Sequence, residues 1–333
     1  MFDRSPTPIL STVPRSGTWF LRYSISFLCH LDRGGRIEDR LTGRVFGAAS
    51  GPDFDFERFR GGPLFRVRGT LPVDNLFVGH TVCPGFGALG RNLGWWAQGQ
   101  FHVPGYDYFH EDMNYRYTPV DLAPQRYTPV HVAAMERAAG RGRGGRIALV
   151  YRNPIDQAAS YYRYCQEHRN PIYCMVDGRP LSGVPFRDYL FEVGLPSYAR
   201  QFISFQEMAA RYPAHVKLMA YERLVVHPVE GVAALLEHFA GAPRDWPWLA
   251  DAVWLARREH MKAIEGGLGR SLDGTRREGG SHIRRDPTKA EGRGDLKLRR
   301  EALAMLESLG VQTGLFEWPA AAVPAAPAVA SAA

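Results

Sequence analysis

The run Pro14-Arg15-Ser16-Gly17-Thr18-Trp19 gathers a guanidinium, two hydroxyls and a glycine between two apolar segments. A β-prone stretch at 9–13 precedes it and an apolar stretch of helical spacing follows. This spacing predicts a strand, a tight turn and a helix N-terminus. Such a turn aims several backbone N–H groups and the positive end of a helix dipole at one point, where an anion is stabilised. Arg15 adds a full positive charge, and Ser16 and Thr18 add donors. The turn is not a Walker A loop, because no Gly-Lys-Ser/Thr follows it. The plain alternative is a structural strand-to-helix turn with an N-cap.

A second cluster, Arg152-Asn153-Pro154-Ile155-Asp156-Gln157-Ala158-Ala159-Ser160, opens where the apolar run 146–151 ends. Pro154 suits the first turn of a helix continuing to about residue 167. Together, in this order and each at a strand end, the two motifs resemble those of sulfotransferases that use 3′-phosphoadenosine-5′-phosphosulfate (PAPS). The 5′-phosphosulfate loop of that family reads Pro-Lys/Arg-Ser/Thr-Gly-Thr-Thr/Trp. In the same family an arginine at a strand end and a serine eight residues later hold the 3′-phosphate, and Arg152 and Ser160 match that spacing. A dianionic phosphate is well served by a guanidinium plus a neutral hydroxyl. Asp156 cannot favour a phosphate, so it is expected to cap the helix or hold Arg152.

The resemblance implies that Arg15, Ser16, Gly17, Thr18 and Trp19 cradle the phosphosulfate, with Arg15 neutralising charge on the leaving phosphate. No metal is expected, since no carboxylate or histidine cluster in the sequence points to one. The resemblance extends to Tyr221-Glu222-Arg223-Leu224, similar to the family's Tyr-Glu-Asp/Glu-Leu, whose tyrosine lies near the adenine. Gly294-Asp295-Leu296-Lys297 resembles the end of the family's late basic loop, Arg-Lys-Gly-x-x-Gly-Asp-Trp-Lys. Strict spacing there selects Lys289 as the 3′-phosphate clamp, whereas the nearest basic pair is Arg284-Arg285, which we favour. His80 follows an apolar run in Leu76-Phe77-Val78-Gly79-His80-Thr81-Val82-Cys83-Pro84, resembling the Lys-Thr-His-x-Pro context of the family's catalytic histidine, without the lysine. Histidine suits a general base at neutral pH. His110, Glu111 and Asp112 compete for that role, since some sulfotransferases of glycans use a glutamate.

The elements that must position these groups alternate. Strands are expected at 9–13, 76–80, 146–151 and 216–221, and helices at 17–31, 130–139, 154–167, 186–212, 228–240 and 296–309. Alternation of this kind implies a mainly parallel sheet in an α/β domain, and the resemblance implies that this is a P-loop-NTPase-like central sheet flanked by helices. Residues 32–72 read as loop with short elements. Residues 84–130, rich in Trp, Tyr, Gly and Pro, read as an insertion over the site. There Trp95, Trp96, Tyr106, Tyr108 and Phe109 could stack on a sugar, phenol or polyketide ring, or equally form the core of a subdomain, and Glu111 lies beside them. Residues 266–294 read as a mobile basic loop. Residues 1–318 are expected to form one domain, with an Ala/Pro tail at 319–333.

The 333 residues include 45% apolar side chains, enough for a sizeable core, and a net charge of +7 favours anionic partners. The four cysteines, Cys29, Cys83, Cys165 and Cys174, form no Cys-x-x-Cys pair or zinc spacing, and Cys29 reads as core. No N-terminal signal is visible, so a cytoplasmic, reduced setting is expected. Two rivals are a P-loop kinase or other phosphotransferase, which would need the missing Gly-Lys-Ser/Thr, and a nucleic-acid-binding module using the basic loop. The acceptor stays open among hydroxyls and amines of small molecules, sugars and natural products. A homodimer also stays open.

Overall fold

The computed structural model describes residues 8–56, 64–80, 102–103, 106–107, 146–167, 175–176, 179–180, 183–269 and 295–316. Strand β1 (Ile9–Thr12) leads through the Pro14–Gly17 turn into helix α1 (Thr18–Asp32). Two short strands, β2 (Arg36–Asp39) and β3 (Arg44–Gly47), form a hairpin, followed by β4 (Leu64–Arg66) and β5 (Asn75–Gly79). Within the region read as an insertion, β6 (His102–Val103) and β7 (Tyr106–Asp107) pair with each other among the described residues. Strand β8 (Ile147–Tyr151) feeds α2 (Pro154–Glu167), and β9 (Met175–Val176) pairs with β10 (Arg179–Pro180). Helix α3 (Phe186–Tyr189) passes through a widened π-turn at Leu190–Gly194 into α4 (Leu195–Arg211). Strand β11 (Val216–Ala220), α5 (Tyr221–Val226), α6 (Pro228–Ala240), α7 (Leu249–Leu255), α8 (Arg258–Leu268) and α9 (Leu296–Ser308) complete the order.

The central sheet runs β11-β8-β1-β5-β4, with parallel pairing throughout except for antiparallel β4 at the edge. This is the α/β architecture predicted from the alternating elements. Alternation along the central strands divides the core into two layers. Ile9, Phe77, Ile147 and Leu149 face α2, α4 and α9, while Leu10, Leu76, Val78, Ala148 and Val150 face α1, α6 and α7. Parallel strands covered on both faces read as continuous apolar runs, which is why Ile147–Tyr151 is buried at every position.

Three details differ from the sequence reading. Helix α8 continues to Leu268, through Gly266 and Gly267, where a loop was expected. Its buried residues His260, Met261 and Glu265 carry the helix past the glycines, and left-handed Gly269 (φ 65°) ends it. The helix expected over 186–212 is interrupted by the π-turn, because Pro196 has no N–H to give the preceding turn. Tyr221 opens α5 and does not close β11. Cys29 is buried, as expected. The helix expected at 130–139 lies outside the described residues. Among the described residues no helix is long and apolar enough to cross a membrane.

One buried histidine makes the fold sensitive to acid. His238 on α6 places Nε2 3.0 Å from the Ile147 carbonyl oxygen. Burial pushes its pKa down, the Arg146 and Lys217 charges add to this against the carbonyl hydrogen bond, and the value falls from 6.5 to about 4. Between those values the unfolded chain binds the proton and the folded chain does not, so stability falls as pH drops from 6.5 toward 4. The loss reaches about 3 kcal/mol. Urea unfolding at pH 7.5 and 4.5 should therefore show a larger acid loss in the wild type than in His238→Gln, which keeps an amide donor but does not titrate. Equal losses would refute the assignment.

Candidate functional site

Strands β1 and β8 are hydrogen-bonded neighbours, so the turns that leave their C-terminal ends open side by side. That edge of a parallel sheet is where ligands bind in open α/β folds. The first turn is shaped by backbone sign changes. Arg15 has φ 71° and Gly17 φ 83°, with Ser16 between them at negative φ, a sign alternation of the kind found in anion-binding turns. Arg15 is the one non-glycine residue with positive φ among the described residues, a conformation costing on the order of 1–3 kcal/mol that the surroundings must hold. Ser16 N–H donates to the Val13 carbonyl, and Gln157 Nε2 donates to the Pro14 carbonyl at 2.8 Å.

Glycine is required at position 17 twice over. Its φ is left-handed, and a Cβ there would lie 2.8 Å from Cε2 and 2.9 Å from Cδ2 of Tyr221. Because Gly17 is the N-cap of α1, no side chain caps the first turn. Ser16 is fully buried, and its Oγ has no hydrogen-bond partner among the described residues. A buried hydroxyl left in this state costs about 1–3 kcal/mol unless a ligand or water meets it. Thr18 Oγ1 lies 2.6 Å from Thr12 Oγ1, a pair in which either hydroxyl can donate. The Trp19 ring packs beside Tyr23 and under the Arg22 guanidinium, on the flank of α1, as part of the core layer there.

The second turn meets the first. Arg15 Nε donates to Ser160 Oγ at 3.4 Å, and its guanidinium lies 4.9 Å from the centre of the Tyr164 ring. Ser160 and Tyr164 are one helical turn apart, so both face Arg15. Arg152 lies 5.2 Å from the Tyr221 ring centre, placing that ring between Gly17 and the guanidinium. Of the two roles foreseen for Asp156, it takes only one. Asn153 Oδ1 caps α2 by accepting from Ile155 and Asp156 N–H, while Asp156 Oδ2 stands 3.9 Å from Arg152 Nη2. Glu222 Oε1 accepts from Asn153 N–H at 3.0 Å. Burial raises the Glu222 carboxyl above its ordinary range, and the Asp156 charge adds to this against the Asn153 hydrogen bond and Arg152.

His80 follows β5, which flanks β1 on the side away from β8. Its Nδ1 lies 2.7 Å from the Thr12 carbonyl oxygen and 3.1 Å from Thr12 Oγ1. A ring nitrogen that close to a carbonyl is the donor, so the neutral imidazole carries its lone pair on Nε2. Thr12 thereby joins His80 to Thr18.

Arg15, Ser16, Gly17, Thr18, His80, Arg152, Ser160 and Tyr221 thus line one edge of the sheet, with the Trp19 ring packed to the side. Sequence reasoning missed Thr12, Gln157 and Tyr164. The last two carried a usable signal, since they lie on the same helix as Ser160, one turn away. Trp95, Trp96, Tyr108, Glu111, Arg284 and Arg285, with Phe109, His110, Asp112 and Lys289, lie outside the described residues, and Tyr106 is described only as part of β7.

No protein-family model and no curated protein matches this chain. Solved structures do show likeness. Mouse sulfotransferase SULT7A1 complexed with PAP is 13% identical, with a TM-score of 0.44 over 93% of this chain and 86% of that one. Retinol dehydratase in complex with androsterone and inactive cofactor PAP is 14% identical, with a TM-score of 0.45 over 94% and 83%. Retinol dehydratase with retinol and PAP is 13% identical, with a TM-score of 0.44 over 95% and 84%.

Proposed function

We propose that this chain is a sulfotransferase that moves a sulfuryl group from PAPS to a hydroxyl or amine. The observation that carries the reading is the 3.4 Å contact of Arg15 with Ser160, which joins two anion motifs 145 residues apart in sequence. A nucleotide charged at both its 5′ and 3′ ends needs two such sites within its own length, and a single phosphate needs only one. The fit to that nucleotide is supported by the buried Ser16 hydroxyl, the sign-alternating turn and the Tyr221 ring against Gly17.

PAPS supplies a phosphoric–sulfuric anhydride whose S–O bond to the 5′-phosphate breaks as the bond from sulfur to the acceptor forms. Arg15 and the first-turn N–H groups of α1 stabilise the 5′-phosphate oxygen as charge builds on it. Arg152 and Ser160 hold the 3′-phosphate, and Tyr221 flanks the adenosine. His80 Nε2 takes the acceptor proton, and the Thr12 carbonyl steadies the imidazolium that results. Alignment and charge stabilisation do most of the work, as in phosphoryl transfer. Arg284 and Arg285 are assigned to the same 3′-phosphate from their place in the sequence. Trp95, Trp96, Tyr106, Tyr108 and Glu111 contribute to the acceptor pocket.

A thermal-shift titration tests this. PAP, the 3′,5′-bisphosphate product, at a hundred times its Kd should stabilise the protein by about 2.7 kcal/mol, a rise of several degrees in Tm. The absence of any shift at millimolar PAP would overturn the reading. A shift with ATP but not PAP would favour a phosphotransferase. A salt-dependent response to DNA or RNA alone would favour a nucleic-acid-binding module.

A further inference from the structure

Arg152 sits among acidic groups, although a 3′-phosphate is asked to bind there. Asp156 reaches it from α2, and Glu222 lies against the same turn from the start of α5. Glu222 uses one carboxylate oxygen on Asn153 N–H. The other, Oε2, is buried and has no hydrogen-bond partner among the described residues. Among the described residues, the charged and titratable groups that bear on Glu222 are Arg152 and Asp156 from the β8–α2 junction and Tyr198 from α4. The Tyr198 hydroxyl donates to the Arg152 carbonyl at 2.8 Å. Among these groups of the described residues, Arg152 is the cation. Two carboxylates, Asp156 and Glu222, thus lie against a guanidinium that is only 15% exposed.

We propose that Glu222 is the positioning residue of the Arg152 anion site: it pins the 152–153 turn through Asn153 N–H, and it takes up a proton when a dianionic phosphate docks on Arg152. The proposal rests on the sulfotransferase reading for the identity of that phosphate. The pinning follows from geometry. Asn153 both caps α2 through its side chain and hangs from Glu222 through its backbone, so the carboxylate sets where Arg152 starts and where the Ser160 helix begins. The proton follows from charge. A dianion entering beside two carboxylates and one guanidinium raises the proton affinity of the nearest buried carboxyl, and Glu222 is already shifted upward. Its buried Oε2 becomes an O–H, and the pocket's negative charge falls by one. Binding that draws in a proton strengthens as pH falls.

Two variants separate the parts. Glu222→Gln keeps an oxygen for Asn153 N–H and cannot titrate. Glu222→Ala loses both functions. Calorimetric titration with PAP, in two buffers of different ionisation enthalpy at pH 7, reads affinity and proton uptake together. The wild type is expected to absorb a measurable fraction of a proton. Glu222→Gln should bind PAP at least as tightly as the wild type, with that fraction lost. Glu222→Ala should bind about tenfold or more weakly, the equivalent of one pKa unit of interaction. AMP, which lacks the 3′-phosphate, should show none of these differences and so separates them from the titration of the 5′-phosphate. Urea midpoints confirm that each variant is folded. If Glu222→Ala proves unfolded, proton uptake by the wild type and Glu222→Gln decides alone. Wild-type PAP binding with unchanged proton uptake in Glu222→Gln, or equal affinity in a folded Glu222→Ala, overturns the proposal and leaves the sulfotransferase reading standing. No PAP binding to the wild type removes that reading, and this proposal with it.

Discussion

His80→Ala is expected to lower kcat by about 10²–10⁴-fold, the range for removal of a positioned general base, while leaving PAP affinity close to that of the wild type. The split follows from where His80 sits. It is fixed by the Thr12 carbonyl on the β5 side of β1, whereas the arginines proposed to meet the nucleotide lie on the β8 side. Only the neutral ring accepts the acceptor's proton, so the wild-type rate should decline on the acid limb of its pH profile. That limb should flatten in the variant. Turnover of labelled PAPS across pH, with a parallel measurement on Glu111→Gln, checks the assignment. Wild-type kcat in His80→Ala, with loss in Glu111→Gln, would move the base into the aromatic segment.

Arg152→Ala is expected to cost about 2–5 kcal/mol of PAP binding, the range for truncating one member of a buried, hydrogen-bonded charge pair. That is a loss of about thirtyfold to several thousandfold. The Arg152 side chain is only 15% exposed, so water replaces its contacts poorly. The change also strips Asp156 and Glu222 of their shared cation, which lowers stability and depresses all binding alike. The informative quantity is therefore the ratio of PAP to AMP affinity, measured by calorimetry. It should collapse toward one, because only PAP carries the 3′-phosphate. Arg152→Lys should fall between, since an ammonium keeps the charge but lacks the planar fork. An unchanged ratio would place the 3′-phosphate elsewhere.

The sheet was readable because parallel strands buried on both faces leave uninterrupted apolar runs, and residues 147–151 are such a run. The Arg15 turn was readable because a strand, a Gly-containing turn and an apolar helix follow one another locally. Asp156 was harder, since both Asn153 and Asp156 are reasonable caps and only the geometry shows that Asn153 does it. The end of α8 was misread because glycines at 266 and 267 look like loop until the buried face of the helix is seen.

From sequence alone came the two basic motifs, their order and the chemistry of their side chains, which are properties of neighbouring residues. Whether those motifs lie close enough to meet one ligand was decided by tertiary structure. Strands β1 and β8 pair in parallel, Arg15 reaches Ser160, and Tyr221 arrives from a third strand end to cover Gly17. The roles of Thr12, Gln157, Tyr164 and Glu222 belong to the same class. Each depends on a contact between segments far apart in the chain, and no local periodicity records such a contact.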